Sequence, residues 1–385
     1  MVASAISRDA PQSAGTRGVP SFDIALVLAA SMLILVGLIM LASASIGMAD
    51  RALGEPLYYF WRQTAFVVMG LVAGWLCTRV EFRVWVSASV WLCALGILLL
   101  LLVLVPGIGR EVNGSMRWIS VGGANLQPSE LMKLSLVLYI AGYLVRRGEE
   151  VRSVWTGVFR PLVLLALVAS LLLAEPDYGA SVVMGCVVLG MLFLGGAPLR
   201  LFLGGVALVA TFFVAVIVAA PYRLQRVATF LHPWDDPFGT GFQLTQALIA
   251  IGRGEWFGVG LGASVQKLFY LPEAHTDFLF AVLAEELGFL GVALVVCTFA
   301  FILWRAFSIA RRAELRGQYF GAYTAYGLGL LLGVQAFINM GVNLGVLPTK
   351  GLTLPLVSYG GSSIIISCVA VGMLLRIDYE SRWIR

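Results

Sequence analysis

The chain has 385 residues, 60% of them hydrophobic and 12% charged, with a formal net charge of +5 and a mean hydropathy of +0.92. A soluble domain sits near ~45–50% apolar and about 25% charged, so a soluble globular fold is excluded. A membrane β-barrel is excluded too, because its strands alternate over about 10 residues whereas the uncharged runs here are far longer.

Residues 1–22, rich in Ser, Ala, Gly and Pro, read as a disordered tail. The run 24–46 is longer than the roughly 7–15 residues of a secretory core, so it reads as a retained helix rather than a cleaved signal. The runs 24–46, 84–105, 201–220, 318–349 and 351–375 each reach the ~20 residues that span a bilayer. With the weaker segments, ten transmembrane helices are predicted, at 24–46, 62–78, 84–105, 129–146, 155–174, 179–196, 199–220, 277–304, 318–346 and 353–376. The expected fold class is an all-α polytopic membrane protein with a membrane domain over 23–376 and a short tail over 377–385.

Ten crossings put both termini on one side. Of the 26 Lys and Arg residues, 16 fall on the segments that share that side. The short loops opposite hold only Arg51, Arg62, Arg110, Arg117 and Lys350. This bias predicts cytoplasmic termini, and it accounts for the net charge without a nucleic acid partner. The 56-residue loop 221–276, between the seventh and eighth helices, then faces outward with 106–128, 175–179 and 347–352. A loop that long is more often functional than idle, and its apolar runs 244–251 and 256–261 suit the membrane surface or re-entry into it. The five cysteines lie in or at the ends of apolar segments without a C-x-x-C pair, as small buried hydrophobes do. Gly70 and Gly74 form a small-x-x-x-small face suited to pairing with a partner helix.

Three polar features fall on the predicted outer side. The stretch 110–134 is rich in Asn and Gly, as a structured loop would be. In it Ser129 can cap the next helix, and Glu130 and Lys133 are spaced to pair. Arg117 beside Trp118 is either an anion clamp with an aromatic platform or an interfacial anchor. The stretch "SYGGSSIII" (358–366) opens the last predicted helix. Ser358, Gly360, Gly361 and Ser362 there form either a phosphate cradle or an ordinary serine cap.

The third feature is "LPEAHTDFLFAVLAEELG" (271–288). Thr276 is placed to cap a helix beginning at Asp277, where the helix dipole favours an ionised carboxylate. Glu285 and Glu286 follow about 12–13 Å deeper at ~1.5 Å per residue, and they sit about 80° and about 180° around from Asp277. Carboxylates at such depth point to function. Glu285 is expected to line a polar interior below Asp277, and Glu286 to take that role or a structural partner. Arg223, Arg226, His232, Asp235 and Lys267 are weaker candidates from the long loop, and His275 has a capping or packing role open to it. Together these residues suit an amphiphilic substrate with an anionic headgroup outside the membrane and a lipid tail within it.

The chain resembles the SEDS family (shape, elongation, division, sporulation) over almost its whole length, from about 22 to 376. The motifs that carry the resemblance are "NGSMRWI" (113–119), "QPSELMKL" (127–134), "EPDYG" (175–179), "YRLQRVATFLHPWDDPFGTGFQLTQALIAIGRGEWFGVGLG" (222–262), "LPEAHTDF" (271–278) and "LPLVSYGGSS" (354–363). The segments "QKLFYLPEAHTDF" and "GVLPTKGLTLPLVSYGGSS" look like the division branch; elongation members tend to read "TGMPLPF" in the second place. The resemblance implies a ten-helix peptidoglycan glycosyltransferase. It would polymerise lipid II, an undecaprenyl-pyrophosphate disaccharide-pentapeptide, at the outer face of the bacterial inner membrane, at the division septum. An elongation-type polymerase and a lipid II flippase are the alternatives. The family's essential Asp maps onto Asp277, and its substrate-site Arg and Lys onto Arg117 and Lys133. Asp277 would act as general base or as ligand of a divalent cation (Mg or Mn), with no organic cofactor. The implied partners are a class B penicillin-binding protein (FtsI-like) and the FtsQ-FtsL-FtsB complex.

Overall fold

The computed structural model describes residues 22–112, 115–121, 124–218, 221–239, 241–267, 271, 274–348 and 351–383. Residues 1–21 of the predicted tail 1–22 lie outside them, as does Lys350. Helices α1 (Ile24–Leu53), α2 (Tyr58–Arg79) and α3 (Phe82–Val103) lead into a small antiparallel sheet, β1 (Gly109–Val112), β2 (Ser115–Val121) and β3 (Ala124–Leu126), in the order β1-β2-β3. Then follow α4 (Pro128–Ser153), α5 (Trp155–Ala174), α6 (Tyr178–Leu194) and α7 (Leu199–Val218). The long loop contains α8 (Pro221–Leu231) and α9 (Phe242–Gly254). Helices α10 (Leu279–Leu315), α11 (Tyr319–Asn343) and α12 (Gly361–Trp383) complete the described chain.

Each of the ten predicted segments carries a helix. Among the described residues, nine helices are long and apolar enough to cross a membrane, and α6 is a shorter apolar helix of 17 residues. Several boundaries differ from expectation, among them the ends of α1 at Leu53 and of α4 at Ser153. The eighth predicted helix begins at Leu279, two residues after Asp277, and runs on to Leu315. The last begins at Gly361 rather than 353, because 354–358 make a turn closed by the Val357 and Ser358 amides on the Leu354 carbonyl. The expected tail 377–385 continues α12 as helix to Trp383.

Helices α4 and α12 are the most enclosed, with 83% and 78% of their apolar windows buried, while α7 is peripheral at 6%. Close packing of α2 on α12 depends on glycine. A Cβ on Gly74 would stand 2.6 Å from the Cys368 carbonyl oxygen, and one on Gly372 would stand 2.2 Å from that of Gly74. The small-residue face of Gly70 and Gly74 is therefore spent inside the chain, and it is not the partner-pairing surface that its spacing suggested. Cys77, Cys93 and Cys368 are buried as expected, but Cys186 and Cys297 are exposed on the exterior. At the end of the bundle away from Asp277, Arg305 pairs with Asp23, and Arg312 pairs with Asp378 at 3.0 Å. Both ends of the described chain thus meet on α10.

Helix α10 is broken. Gly288 has φ 64° and ψ −164°, roughly 14 Å below Leu279 at ~1.5 Å per residue. A break at that depth leaves amides and carbonyls that lipid cannot satisfy, so they need partners from buried chain. The long loop supplies them. The Phe289 and Leu290 amides donate to the Glu255 and Trp256 carbonyls, and the Val259 and Gly260 amides donate to the Glu285 and Glu286 carbonyls. The segment after α9 therefore descends beside α10, as its apolar run suggested. A Cβ on Gly288 would meet the Gly258 nitrogen at 2.3 Å and the Gly254 oxygen at 2.8 Å, in a backbone region that L residues rarely adopt. Gly288→Ala is expected to lower the thermal midpoint in detergent by several degrees; an unchanged midpoint would show that the junction is not built as described.

Candidate functional site

The site lies where the N-termini of α4, α6, α10 and α12 gather. Asp277 is half-buried in the turn that enters α10. Its backbone carbonyl accepts from the Asn339 and Asn343 side-chain amides, each at 3.0 Å, and Asn343 Oδ1 in turn accepts from the Ala281 amide at 3.1 Å. Asn339 also donates to the Leu352 carbonyl. Thr276 does not cap α10: the N-cap is Phe278, without a side-chain cap bond. The position of Asp277 is thus set by α11, not by a cap of its own.

Arg117 comes from β2. Its Nε donates to the Glu175 carbonyl at 3.2 Å and its Nη2 to the Pro176 carbonyl. A Cβ on Gly351 would lie 3.0 Å from Asp277 Oδ2 and 4.0 Å from Arg117 Nη1. A bare glycine therefore lets a carboxylate and a guanidinium share one patch of surface. Trp118 is the next residue of the same strand and takes the opposite face, so the expected platform beneath Arg117 is not formed.

Lys133 is 2% exposed. Its ammonium donates to Glu130 Oε1 at 2.8 Å, the pairing predicted from the spacing, and to Gln335 Oε1 at 2.6 Å. Gln335 Nε2 donates to the Thr353 carbonyl at 3.0 Å. Lys133 is therefore sealed behind the site, and it braces the loop that carries Gly351 instead of presenting its charge there.

The cradle residues also have internal partners. Ser358 Oγ accepts from the Leu354 amide, the Gly360 amide donates to Gln63 Oε1, and Ser362 Oγ accepts from the Gln127 amide at 2.9 Å. A Cβ on Gly361 would meet the Phe66 ring at 2.8 Å. The turn binds α2 and α4 to α12; these groups do not stand open as a phosphate cradle. Ser129 does not cap α4, whose N-cap is Gln127; it donates to Asp177 Oδ2 at 3.0 Å.

Glu285 and Glu286 are both buried, but away from this patch. Glu285 accepts from Ser264 Oγ and the Val265 amide and pairs with Arg253 at 3.5 Å. Glu286 accepts from Ser43 Oγ and pairs with Lys267 at 2.8 Å. The polar interior expected below Asp277 is thus a latch between α10, α1 and the long loop, and it consumes Lys267. His275 packs its ring against Tyr59 and Tyr359. His232 and Asp235 are exposed, and Arg223 and Arg226 lie on α8 with side chains outside the described residues.

Two groups at the site had no role assigned from the sequence. One is the amide row Gln335, Asn339 and Asn343, whose i, i+4, i+8 spacing on an apolar helix was a readable signal. The other is the "EPDYG" turn. Asp177 is the N-cap of α6, accepting from the Ala180 amide at 3.2 Å. Glu175 is fully buried, and neither carboxyl oxygen has a hydrogen-bond partner among the described residues. Burial first and Asp177 second push its carboxyl up to about 8, against a smaller opposing pull from Arg117. Between about pH 4.5, its ordinary value, and about 8 the unfolded chain ionises while the folded one stays protonated. Folding stability contributed at this site is therefore lost as pH rises through that window. Glu175→Gln is expected to remove this loss, so its thermal midpoint should exceed that of wild type increasingly from pH 5 to pH 8. Parallel profiles would contradict the assignment.

Residues 24–383 match the family described as cell cycle protein, FTSW_RODA_SPOVE. A probable peptidoglycan glycosyltransferase FtsW of Thioalkalivibrio sulfidiphilus is 56% identical over 375 residues, 97% of this chain and 94% of the relative. One from Nitrosococcus halophilus is 54% identical over 364 residues, 94% of each chain. Among solved structures, a chain from work on the structural coordination of polymerization and crosslinking by a peptidoglycan synthase complex superposes with a TM-score of 0.78 at 32% identity, covering 95% of this chain and 99% of that one. The rod shape determining protein RodA of Thermus thermophilus superposes with a TM-score of 0.69 at 30% identity and the same coverage. The chain belongs to the FtsW/RodA/SpoVE family of cell cycle proteins.

Proposed function

We propose that this protein is a septal peptidoglycan glycosyltransferase that polymerises lipid II into β-1,4 glycan strands at the outer face of the inner membrane. The observation that carries the reading is the patch at Gly351, where the Asp277 carboxylate and the Arg117 guanidinium converge. The names of relatives at 54–56% identity support the substrate class.

The 4-hydroxyl of one lipid-linked sugar attacks the anomeric carbon of another, and the α-linked pyrophosphate leaves with inversion. Asp277 takes the hydroxyl proton as the bond forms. Arg117 Nη1 faces the leaving pyrophosphate and stabilises its developing charge. Lys133 and Gln335 hold the loop of Gly351 in place. Among the described residues, no three His, Cys, Asp or Glu side chains gather as a metal cage. A divalent cation would thus be held by Asp277 together with substrate phosphates, a common arrangement for Mg²⁺. Such an ion would offset charge on the pyrophosphate.

The broken α10 favours a second reading, a lipid II flippase, because discontinuous helices recur in transporters. Against it, the broken ends are satisfied by the chain's own loop. For partners, we propose an FtsI-like class B penicillin-binding protein, by analogy with the peptidoglycan synthase complex, and activation by FtsQ-FtsL-FtsB.

The test is polymerisation of lipid II by purified protein, alone and with its transpeptidase. Asp277→Asn should reduce glycan chains by about 100-fold or more, the contribution of a positioned base, while still binding the partner. Normal polymer from that variant would remove Asp277 from the chemistry, and transbilayer movement without polymer from wild type would favour the flippase. In residually active Asp277→Glu, a weakened response to Mn²⁺ would indicate metal binding, and an unchanged response would indicate the base alone.

A further inference from the structure

The mechanism uses the backbone of the "EPDYG" turn, through Arg117, but leaves its buried carboxyl unexplained. Glu175 is sealed, at 0% exposure, with both oxygens unpartnered among the described residues. An acid in that state is costly unless it is neutral. Three facts fix its surroundings. Arg117 of β2 sits against the same turn, bound to the Glu175 and Pro176 carbonyls through Nε and Nη2 and not to the Glu175 side chain. Asp177, two residues on, has its side-chain oxygens met by Ser129, Gln127 and the Ala180 amide. Apolar Leu352 packs on Gly179 of the same turn. Asp277 lies on the far side of Arg117, beside Gly351.

We infer that Glu175 is a positioning residue: its carboxyl stays un-ionised beside Arg117, so that the guanidinium is fixed by main-chain carbonyls and its charge is left for an anionic headgroup. An ionised Glu175 would draw Arg117 into an ion pair and divert it from the pyrophosphate. Burial and Asp177 both oppose that ionisation, and Arg117 alone favours it. By linkage, an anion bound at Arg117 and a proton on Glu175 stabilise each other. Anion binding should therefore take up a proton above about pH 8 and none well below it.

This inference rests on the reading that Arg117 binds the substrate pyrophosphate, and the experiment separates the two. Binding of undecaprenyl pyrophosphate in micelles to the full-length protein is measured by calorimetry in buffers of different ionisation enthalpy. The expected result, taken relative to E175Q so that the ligand's own protons cancel, is uptake approaching one proton near pH 9 and no difference near pH 6.5. In polymerisation assays with the transpeptidase present, KM for lipid II should rise severalfold from pH 7 to pH 9 in wild type while kcat changes less. In E175Q, which cannot ionise, KM should not follow pH. A protonated-carboxyl infrared band that is present near neutral pH and missing from E175Q would support the same assignment. The inference is overturned by proton uptake that is equal in wild type and E175Q, or by an E175Q profile that parallels wild type. Should wild type make no polymer, the proposed activity fails, while the calorimetry on wild type and E175Q still decides the role of Glu175.

Discussion

A helix cannot be broken inside an apolar bundle unless something polar comes to meet the break. At Gly288 the loop after α9 does so, exchanging backbone hydrogen bonds with both halves of α10. The residues that follow, 264–267, are fastened to the same helix. Ser264, Val265 and Lys267 fasten to Glu285 and Glu286, about one turn above the break, and Ser43 ties Glu286 to α1. Removing one partner of a buried ion pair typically costs about 3–5 kcal/mol. The loop is thereby held as part of the bundle, and the chain that leaves it toward Asp277 starts from an anchored position.

The second support comes from α11. Gln335, Asn339 and Asn343 lie one turn apart on a helix otherwise buried in apolar contacts, and each spends its amide on the site's backbone. They link the entry of α10 to the loop of Gly351, and through Lys133 to α4. An orphaned buried donor or acceptor costs about 1–3 kcal/mol, so these amides favour one arrangement of three chain segments. Asp277 and Arg117, 160 residues apart in sequence, meet because this frame and the "EPDYG" turn bring their backbones together.

Much of this was legible in the sequence. Apolar length located every long helix, the spacing of Glu130 and Lys133 announced their ion pair, and the apolar run after Arg253 announced the descent of the loop. What stayed hidden depends on partners distant in sequence. Helical phase separated Glu285 from Glu286 but could not say that Ser264 and Lys267 would reach back to them. Gly70 and Gly74 read as a docking face because spacing does not reveal that Cys368 of α12 covers it. For Ser358 and Gly360 the sequence left an anion cradle and an ordinary cap both open until Leu354 and Gln63 supplied their partners. Glu175 had no role assigned from the sequence because nothing local shows that it is buried.

The proposed headgroup chemistry takes place at the Gly351 patch between Asp277 and Arg117. The most direct test is a cryo-electron microscopy structure of the protein with its transpeptidase and a non-hydrolysable lipid II analogue. The account predicts pyrophosphate density against Arg117, with a sugar hydroxyl within hydrogen-bonding reach of Asp277. Headgroup density along α10 at Glu285 and Glu286, with the loop latch opened, would contradict it and point to a translocation path.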